Sequence, residues 1–183
     1  GTPLRLRRIG LLLDTGQIEQ AIPPAQALVR DRPTSRHARV ALATALWLAG
    51  QSGAARTVID ASLHLWPDSG RLCWLDLMLA FDMRDQHRVE AIVADERLLT
   101  NSFPPSIVAL WPQLARCMAD DDPTARDQAV VAALAAPRQY ASAALPALFA
   151  LNWLGAVDAA FRLARGLYLG EGDIVRRPGE FRP

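Results

Sequence analysis

Lysine is absent from this sequence, in which all 20 basic residues are arginine and 19 residues are acidic, so that the formal net charge is +1. The arginines are scattered along the chain, and this is typical of a mixed, nearly neutral surface. Domains that bind nucleic acid carry a concentrated basic patch. We therefore expect no direct nucleic-acid binding. Arginine without lysine, together with abundant alanine, indicates the coding bias of a GC-rich genome.

Residues that commonly carry catalysis or bind metal are also scarce. The two cysteines, Cys73 and Cys117, lie far apart in apolar segments, and the three histidines are isolated from one another. The chain has no zinc-ligand spacing, no nucleophile elbow and no phosphate-binding glycine loop. We predict no enzymatic activity, no cofactor, no metal and two buried free thiols, with a disulfide as the alternative. Free thiols favour a reducing, cytoplasmic compartment.

Long apolar runs are missing too. The longest apolar stretch, residues 143–154, is interrupted by Pro146 and Asn152, so the sequence predicts no membrane span. The opening segment lacks the apolar region of a signal peptide. A start without Met and a polar C-terminal end predict that the chain is a piece of a longer protein.

What the sequence does contain is helical periodicity, in a chain that is 51% hydrophobic. Residues 36–67 show it best: Leu42 and Leu46 recur at helical spacing, Gly50 interrupts the pattern, and Ile59 resumes it before Pro67. These features predict two short helices joined by a turn. One such hairpin cannot bury both of its apolar faces, so further hairpins should pack against it.

The same layout recurs at a fixed interval. The distance along the chain from Gly16 to Gly50 equals the distance from Pro33 to Pro67, and we call it the repeat interval. The pattern resembles the tetratricopeptide repeat, a helix–turn–helix unit of about 34 residues. In the second repeat the matching positions are Leu42, Ala43, Leu46, Gly50, Ala55, Ile59 and Pro67.

The resemblance implies an all-α fold, a right-handed superhelical solenoid of about five repeats and about ten helices. We expect a single solenoid domain over residues 1–183, with repeats at residues 3–33, 36–67, 70–101, 106–137 and 141–172. Gly155 matches the turn glycine in the fifth repeat. Arg84 stands where the third repeat should have glycine, so the turn there must use Arg84, Asp85 or Gln86.

Prolines predict local departures from the pattern. Pro23 and Pro24 should kink the second helix or mark its start, and Pro112 should kink the first helix of the fourth repeat. Pro104 and Pro105 should begin an element, with Asn101 or Ser102 as possible caps.

The fourth repeat carries a second set of signals. Asp122, Pro123 and Thr124 form a helix-start signal, and Pro137 should end the repeat. The acidic triplet of residues 120–122 could bind a cation, but a helix end followed by a new cap accounts for it more simply, since calcium loops are longer.

The resemblance also implies a concave groove lined by the first helix of each pair. The partner-binding candidates that it gives, carried over by repeat phase, are His37, Thr44, Trp47, Arg71, Trp74, Met78, Phe81, Phe149, Asn152 and Trp153. This aromatic composition is typical of surfaces that bind an apolar or helical segment of a protein partner. The open alternatives are that these side chains fill the core, are covered by the C-terminal segment 174–181, or are buried in a homodimer.

Two functions follow as hypotheses. The first is a protein–protein interaction scaffold that binds a peptide or helix in the groove. The alternative is the helical-repeat sensor or effector domain of a larger bacterial regulator, because residues 154–172 are similar to the C-terminal repeats that follow winged-helix domains in such regulators.

Overall fold

A computed structural model describes residues 1–120, 122–139 and 141–169, and within them the chain forms helices and no strand. The all-α expectation is confirmed. The chain divides into two compact units, Gly1–Met83 and Arg84–Pro183, which we describe separately. Residues 170–172, where the fifth repeat should end, and the C-terminal segment 174–181, one candidate cover for the aromatic residues, lie outside the described residues.

Helices of similar length build the first unit, and each packs against the next. Their bounds are α1 (Thr2–Asp14), α2 (Ile18–Asp31), α3 (Arg36–Leu48), α4 (Ser52–Leu63) and α5 (Gly70–Asp82). The starts of α1, α3 and α5 follow one another at the repeat interval, as do those of α2 and α4. The interval seen in the turn residues is therefore also the interval of the helices.

Two glycines end the first helix of each pair in the same way. Gly16 has φ 74° and Gly50 has φ 73°, a left-handed conformation that glycine adopts without a steric penalty. The Gly50 N–H donates to the Trp47 carbonyl at 2.9 Å, and the N–H of the next residue donates to the Leu46 carbonyl at 2.9 Å. The corresponding bonds form around Gly16. This pattern is the Schellman motif, which satisfies the last carbonyls of a helix.

Small side chains dominate the core of the first unit. Ala21 and Ala25 of α2, Ala38 and Ala45 of α3 and Ala55 of α4 are fully buried in one hydrophobic cluster. Residues of this size let helix backbones approach closely, and larger neighbours fill the remaining space. The fully buried large members of the cluster are Ile9, Leu28, Ile59, Leu75 and Leu79.

Helices of very different lengths build the second unit. Their bounds are α6 (Gln86–Ala94), α7 (Glu96–Ser102), α8 (Pro105–Val108), α9 (Trp111–Ala119), α10 (Pro123–Gln139), α11 (Ala144–Trp153) and α12 (Val157–Leu169), with a 3-10 turn at Ala141–Ala143. α9 packs against α6 and α10, and α11 packs against α10 and α12.

Several helix ends were predicted correctly. Gly155 has φ 69° and forms the same pair of backbone hydrogen bonds as Gly16 and Gly50. Arg84 has φ 56°, the one positive φ of a non-glycine residue in the described part of the chain. Pro105 begins α8, and Pro123 begins α10, where the Thr124 N–H donates to the Asp122 carboxylate at 2.9 Å.

The structure decides between the alternatives at one proline site and corrects another. α2 starts at Ile18 and continues through Pro23 and Pro24, so it does not begin at Pro23, and the kink stays a prediction. Pro112 does not kink one long helix, because α8 and α9 are separate and Pro112 lies in the first turn of α9, where its missing N–H has no partner to lose.

Two further ends differ from the sequence prediction. Pro137 lies inside α10 and does not terminate it. Ser102 ends α7, and its hydroxyl donates to the Leu98 carbonyl at 2.6 Å instead of capping a new helix. The second helix expected in the third repeat is split at Asp95, which ends α6 and caps α7 by accepting the Leu98 N–H at 2.9 Å.

The second unit buries a large aromatic residue beside its alanines. Trp111 is fully buried, and its ring meets Phe103 edge to face with centroids 5.3 Å apart. Ile107 and Leu114 are buried on either side of Trp111 in the sequence. A residue of this volume fills space where the short helices α8 and α9 meet, while Ala133 of α10 and Ala147 of α11 are also fully buried.

Candidate partner-binding site

The predicted partner-binding residues fall into both units. The first unit carries His37, Thr44, Trp47, Arg71, Trp74, Met78 and Phe81, and the second unit carries Phe149, Asn152 and Trp153. In the first unit they lie on α3 and α5, and in the second on α11. Each set is described within its own unit.

A pair of half-exposed tryptophans forms the centre of the set in the first unit. Trp47 of α3 and Trp74 of α5 meet edge to face, with ring centroids 6.4 Å apart and an interplanar angle of 72°. The Trp47 indole N–H donates to the Asp82 carboxylate at 3.1 Å. These contacts fix both rings at the surface, so a partner could bury them without ordering them first.

Charged residues lie on either side of the tryptophan pair. The Arg71 guanidinium lies 5.1 Å from the Trp74 ring centroid, while the Asp82 carboxylate accepts the Trp47 N–H. Thr44 is half-buried, and its hydroxyl donates to the Val40 carbonyl at 2.9 Å. An apolar centre with a polar rim is the usual composition of a protein-binding patch. We call Trp47, Trp74, Arg71 and Asp82 the tryptophan surface.

The remaining members of the first set are placed differently. His37 is exposed in the first turn of α3. Met78 and Phe81 are fully buried in α5, so neither side chain lines an open groove. The sequence pattern could not separate these two from Trp74, because α5 is apolar on every side: nine of its 13 residues are buried. Their placement matches the core alternative that the sequence left open.

The set in the second unit is built around Trp153. Trp153 and Phe149 are half-buried on α11, and Asn152 is exposed. The Arg84 guanidinium lies 4.9 Å from the Trp153 ring centroid. Arg84 was predicted only as a turn residue, and nothing in the sequence pattern connected it with Trp153.

A polar cavity of about 320 Å³ adjoins Trp153. Its lining is Arg84, Cys117, Asp120, Asp122, Arg126, Trp153, Leu154 and Gly155. Burial raises the pKa of the Cys117 thiol, and the Asp122 carboxylate adds to the rise while Arg116 opposes it. A raised thiol pKa disfavours the nucleophilic thiolate, so the thiol is poorly suited to covalent catalysis.

Cys73 and Cys117 do not form a disulfide in the described part of the chain, and only Cys73 is buried as predicted, whereas Cys117 is half-buried. Within the described residues, no three His, Cys, Asp or Glu side chains cluster closely enough to hold a metal ion. The same part of the chain contains no helix with the length and apolar content required to cross a membrane.

A buried ion pair in the first unit escaped sequence reasoning. Arg56 of α4 donates to the Asp76 carboxylate of α5, whose side chain is only 4% exposed. In the sequence Asp76 is a single polar residue among the apolar residues of α5, so its neighbours along the chain give no indication of its partner. The repeat interval could have found the pair, because one interval earlier the two positions are Ile22 and Leu42, which lie at the packed interface of α2 and α3.

Comparison with known proteins adds no relative: no family model matches the chain, and neither the curated proteins nor the solved structures include a significant match.

Proposed function

We propose that this chain is a tetratricopeptide-like helical repeat that binds a peptide or helix of a protein partner on the tryptophan surface. The observation that carries the proposal is the pair Trp47 and Trp74, which is half-exposed and yet held in one geometry by Asp82 and Arg71. Rigid aromatic residues lose little conformational entropy on binding, and they dominate the energy of many protein interfaces.

The helix bounds support the repeat part of the proposal. Helix starts at the repeat interval, Schellman turns at Gly16 and Gly50 and small buried residues on both helices are all features of the tetratricopeptide repeat. A superhelical arrangement would present the first helices α1, α3 and α5 on one face. The tryptophan surface lies on two of these three helices.

The charges favour a partner segment that is apolar with polar flanks. Trp47 and Trp74 would contact apolar side chains spaced one helical turn apart, while Arg71 and Asp82 would pair with an acidic and a basic residue. The two opposite charges would fix the direction in which the segment binds.

Selection from a displayed peptide library would test this function. Peptides selected on the wild-type chain should bind the Trp47→Ala/Trp74→Ala variant at least about tenfold more weakly, as measured by fluorescence anisotropy, because central aromatic residues usually contribute more than about 1 kcal/mol each. Circular dichroism would verify that the variant is folded.

The matched control is Leu65→Ala, which removes an exposed apolar side chain outside the surface. It should leave affinity unchanged. Equal binding of the selected peptides to wild type and the tryptophan variant would contradict the proposal. Failure to select any peptide, together with binding of a small molecule, would favour the sensor-domain hypothesis.

A further inference from the structure

An apolar stripe on α1 is exposed although its counterparts in α3 and α5 are buried. Leu4 and Leu11 are 71% and 62% exposed, and Arg8 between them is also exposed. One repeat interval later the stripe becomes Ala38, Leu42 and Ala45 in α3, and after a second interval Leu72, Asp76 and Leu79 in α5. All six of these residues are buried. We call Leu4, Arg8 and Leu11 the head face.

The buried stripes show what kind of element covers this position. Asp76, in the middle of the α5 stripe, accepts a hydrogen bond from Arg56 of α4, which is the second helix of the preceding pair. The α3 stripe shares a hydrophobic cluster with Ala21, Ala25 and Leu28 of α2. The head face is therefore the exposed equivalent of two buried stripes. In both buried cases the element that covers the stripe is the second helix of the preceding pair.

The last described helix carries a complementary exposed face. Val157 and Phe161 of α12 are 48% and 66% exposed. Phe161 comes six residues after the turn glycine Gly155, as Arg56 comes six residues after Gly50. Phe161 is therefore equivalent in its helix pair to Arg56, and Arg56 contacts the following pair. We call Val157 and Phe161 the tail face.

From this register we infer that the chain associates with a second copy of itself, the tail face of one copy covering the head face of the next. The interface would repeat the packing of α4 on α5. Phe161 of one copy would take the position of Arg56, and Arg8 of the other copy would take the position of Asp76. An arginine against an aromatic ring is a favourable contact. A two-fold contact between two head faces is disfavoured, because Arg7 and Arg8 would meet the same residues of the other copy.

Sedimentation equilibrium measures this association directly. The average mass of the wild-type chain should rise with concentration, since a head-to-tail contact leaves one free face of each kind for the next copy. Leu4→Glu/Leu11→Glu and Phe161→Glu should each be monomeric, because a carboxylate would be buried against apolar side chains. All three positions are exposed, so both variants should fold.

Mixing the two variants gives the sharpest result. Each retains the face that the other has lost, so an equimolar mixture should form a one-to-one dimer that grows no further. Leu65→Glu, at an exposed position outside both faces, and the Trp47→Ala/Trp74→Ala variant should associate like the wild type. Association of these two controls separates the inference from the proposed peptide binding.

Three outcomes would overturn the inference. The wild type could remain monomeric at its highest soluble concentration, either glutamate variant could associate as the wild type does, or the mixture could stay monomeric. Retained association in Phe161→Glu alone would assign the contact to two head faces.

Discussion

The two units differ in the lengths of their helices, although both bury alanines. Helices of the first unit have 12 to 14 residues, whereas helices of the second range from four to 17 residues and bury the large ring of Trp111. Buried alanines occur in both, Ala38 and Ala55 in the first unit and Ala133 and Ala147 in the second. Small residues at the contact positions therefore do not by themselves produce helices of equal length.

The largest expected effect tests how far the second unit depends on the buried ring of Trp111. Trp111→Ala should lower the free energy of unfolding by about 3–5 kcal/mol, because it leaves a cavity under Phe103. Urea unfolding followed by circular dichroism measures the change. Trp74→Ala is the matched control in the first unit, and it should cost less than half as much because Trp74 is only half-buried. Equal losses of unfolding free energy in the two variants would show that stability does not follow the burial of these two rings.

The next effect tests the position in the first unit where an ion pair replaces the apolar contact of the preceding repeat. Asp76→Ala should cost about 3–5 kcal/mol, because it leaves the Arg56 guanidinium, whose side chain is 16% exposed, without its counterion. The double variant Arg56→Ile/Asp76→Leu should be close to wild type, since Ile22 and Leu42 occupy these positions one repeat earlier. Urea midpoints of the three proteins measure the difference.

An exposed ion pair provides the control for that experiment. Arg5 donates to Asp31 at 2.6 Å, and the two side chains are 42% and 56% exposed. Asp31→Ala should change stability by less than about 1 kcal/mol, because water screens an exposed pair. If Arg56→Ile/Asp76→Leu were as unstable as Asp76→Ala, the positions of the two repeats would not be equivalent.

The smallest effect compares the turns of the two units. Gly50→Ala should cost about 1–2 kcal/mol, because φ is 73° there and no atom outside its two chain neighbours lies within 4 Å of the added Cβ, so that the cost is that of the backbone conformation. Arg84→Ala keeps a residue with a Cβ at φ 56°, so it should lose only the contact with Trp153, about 0.5–1 kcal/mol. Thermal unfolding would measure both.

Gly53→Ala controls for the substitution itself. Gly53 lies in the first turn of α4 with open space around it, so alanine should stabilise the chain by about 0.5 kcal/mol. An equal loss in Gly50→Ala and Gly53→Ala would rule out the left-handed turn as the cause.

The candidate site was only partly predictable. Trp47, Trp74 and Arg71 were selected by repeat phase, and they do lie together on α3 and α5. The same phase selected Met78 and Phe81, which are buried. Periodicity identifies the face of a helix, but it cannot say how much of that face a neighbouring element covers.

The helical class and the repeat interval follow from the amino-acid sequence alone. Glycine, proline and capping residues act on their own backbone, so Gly16, Gly50 and Pro123 mark helix ends wherever the helices later pack. Local chemistry of this kind needs no knowledge of distant residues.

Helix packing, in contrast, sets the pairing of Arg56 with Asp76, the burial of Phe81 and the exposure of Leu4 and Leu11. Each of these three features depends on which helix packs against the residue. Burial is therefore a property of two packed helices and not of one residue. The equivalent stripe is core in α3 and surface in α1, because the free energy of an apolar side chain depends on the area that its neighbours remove from water.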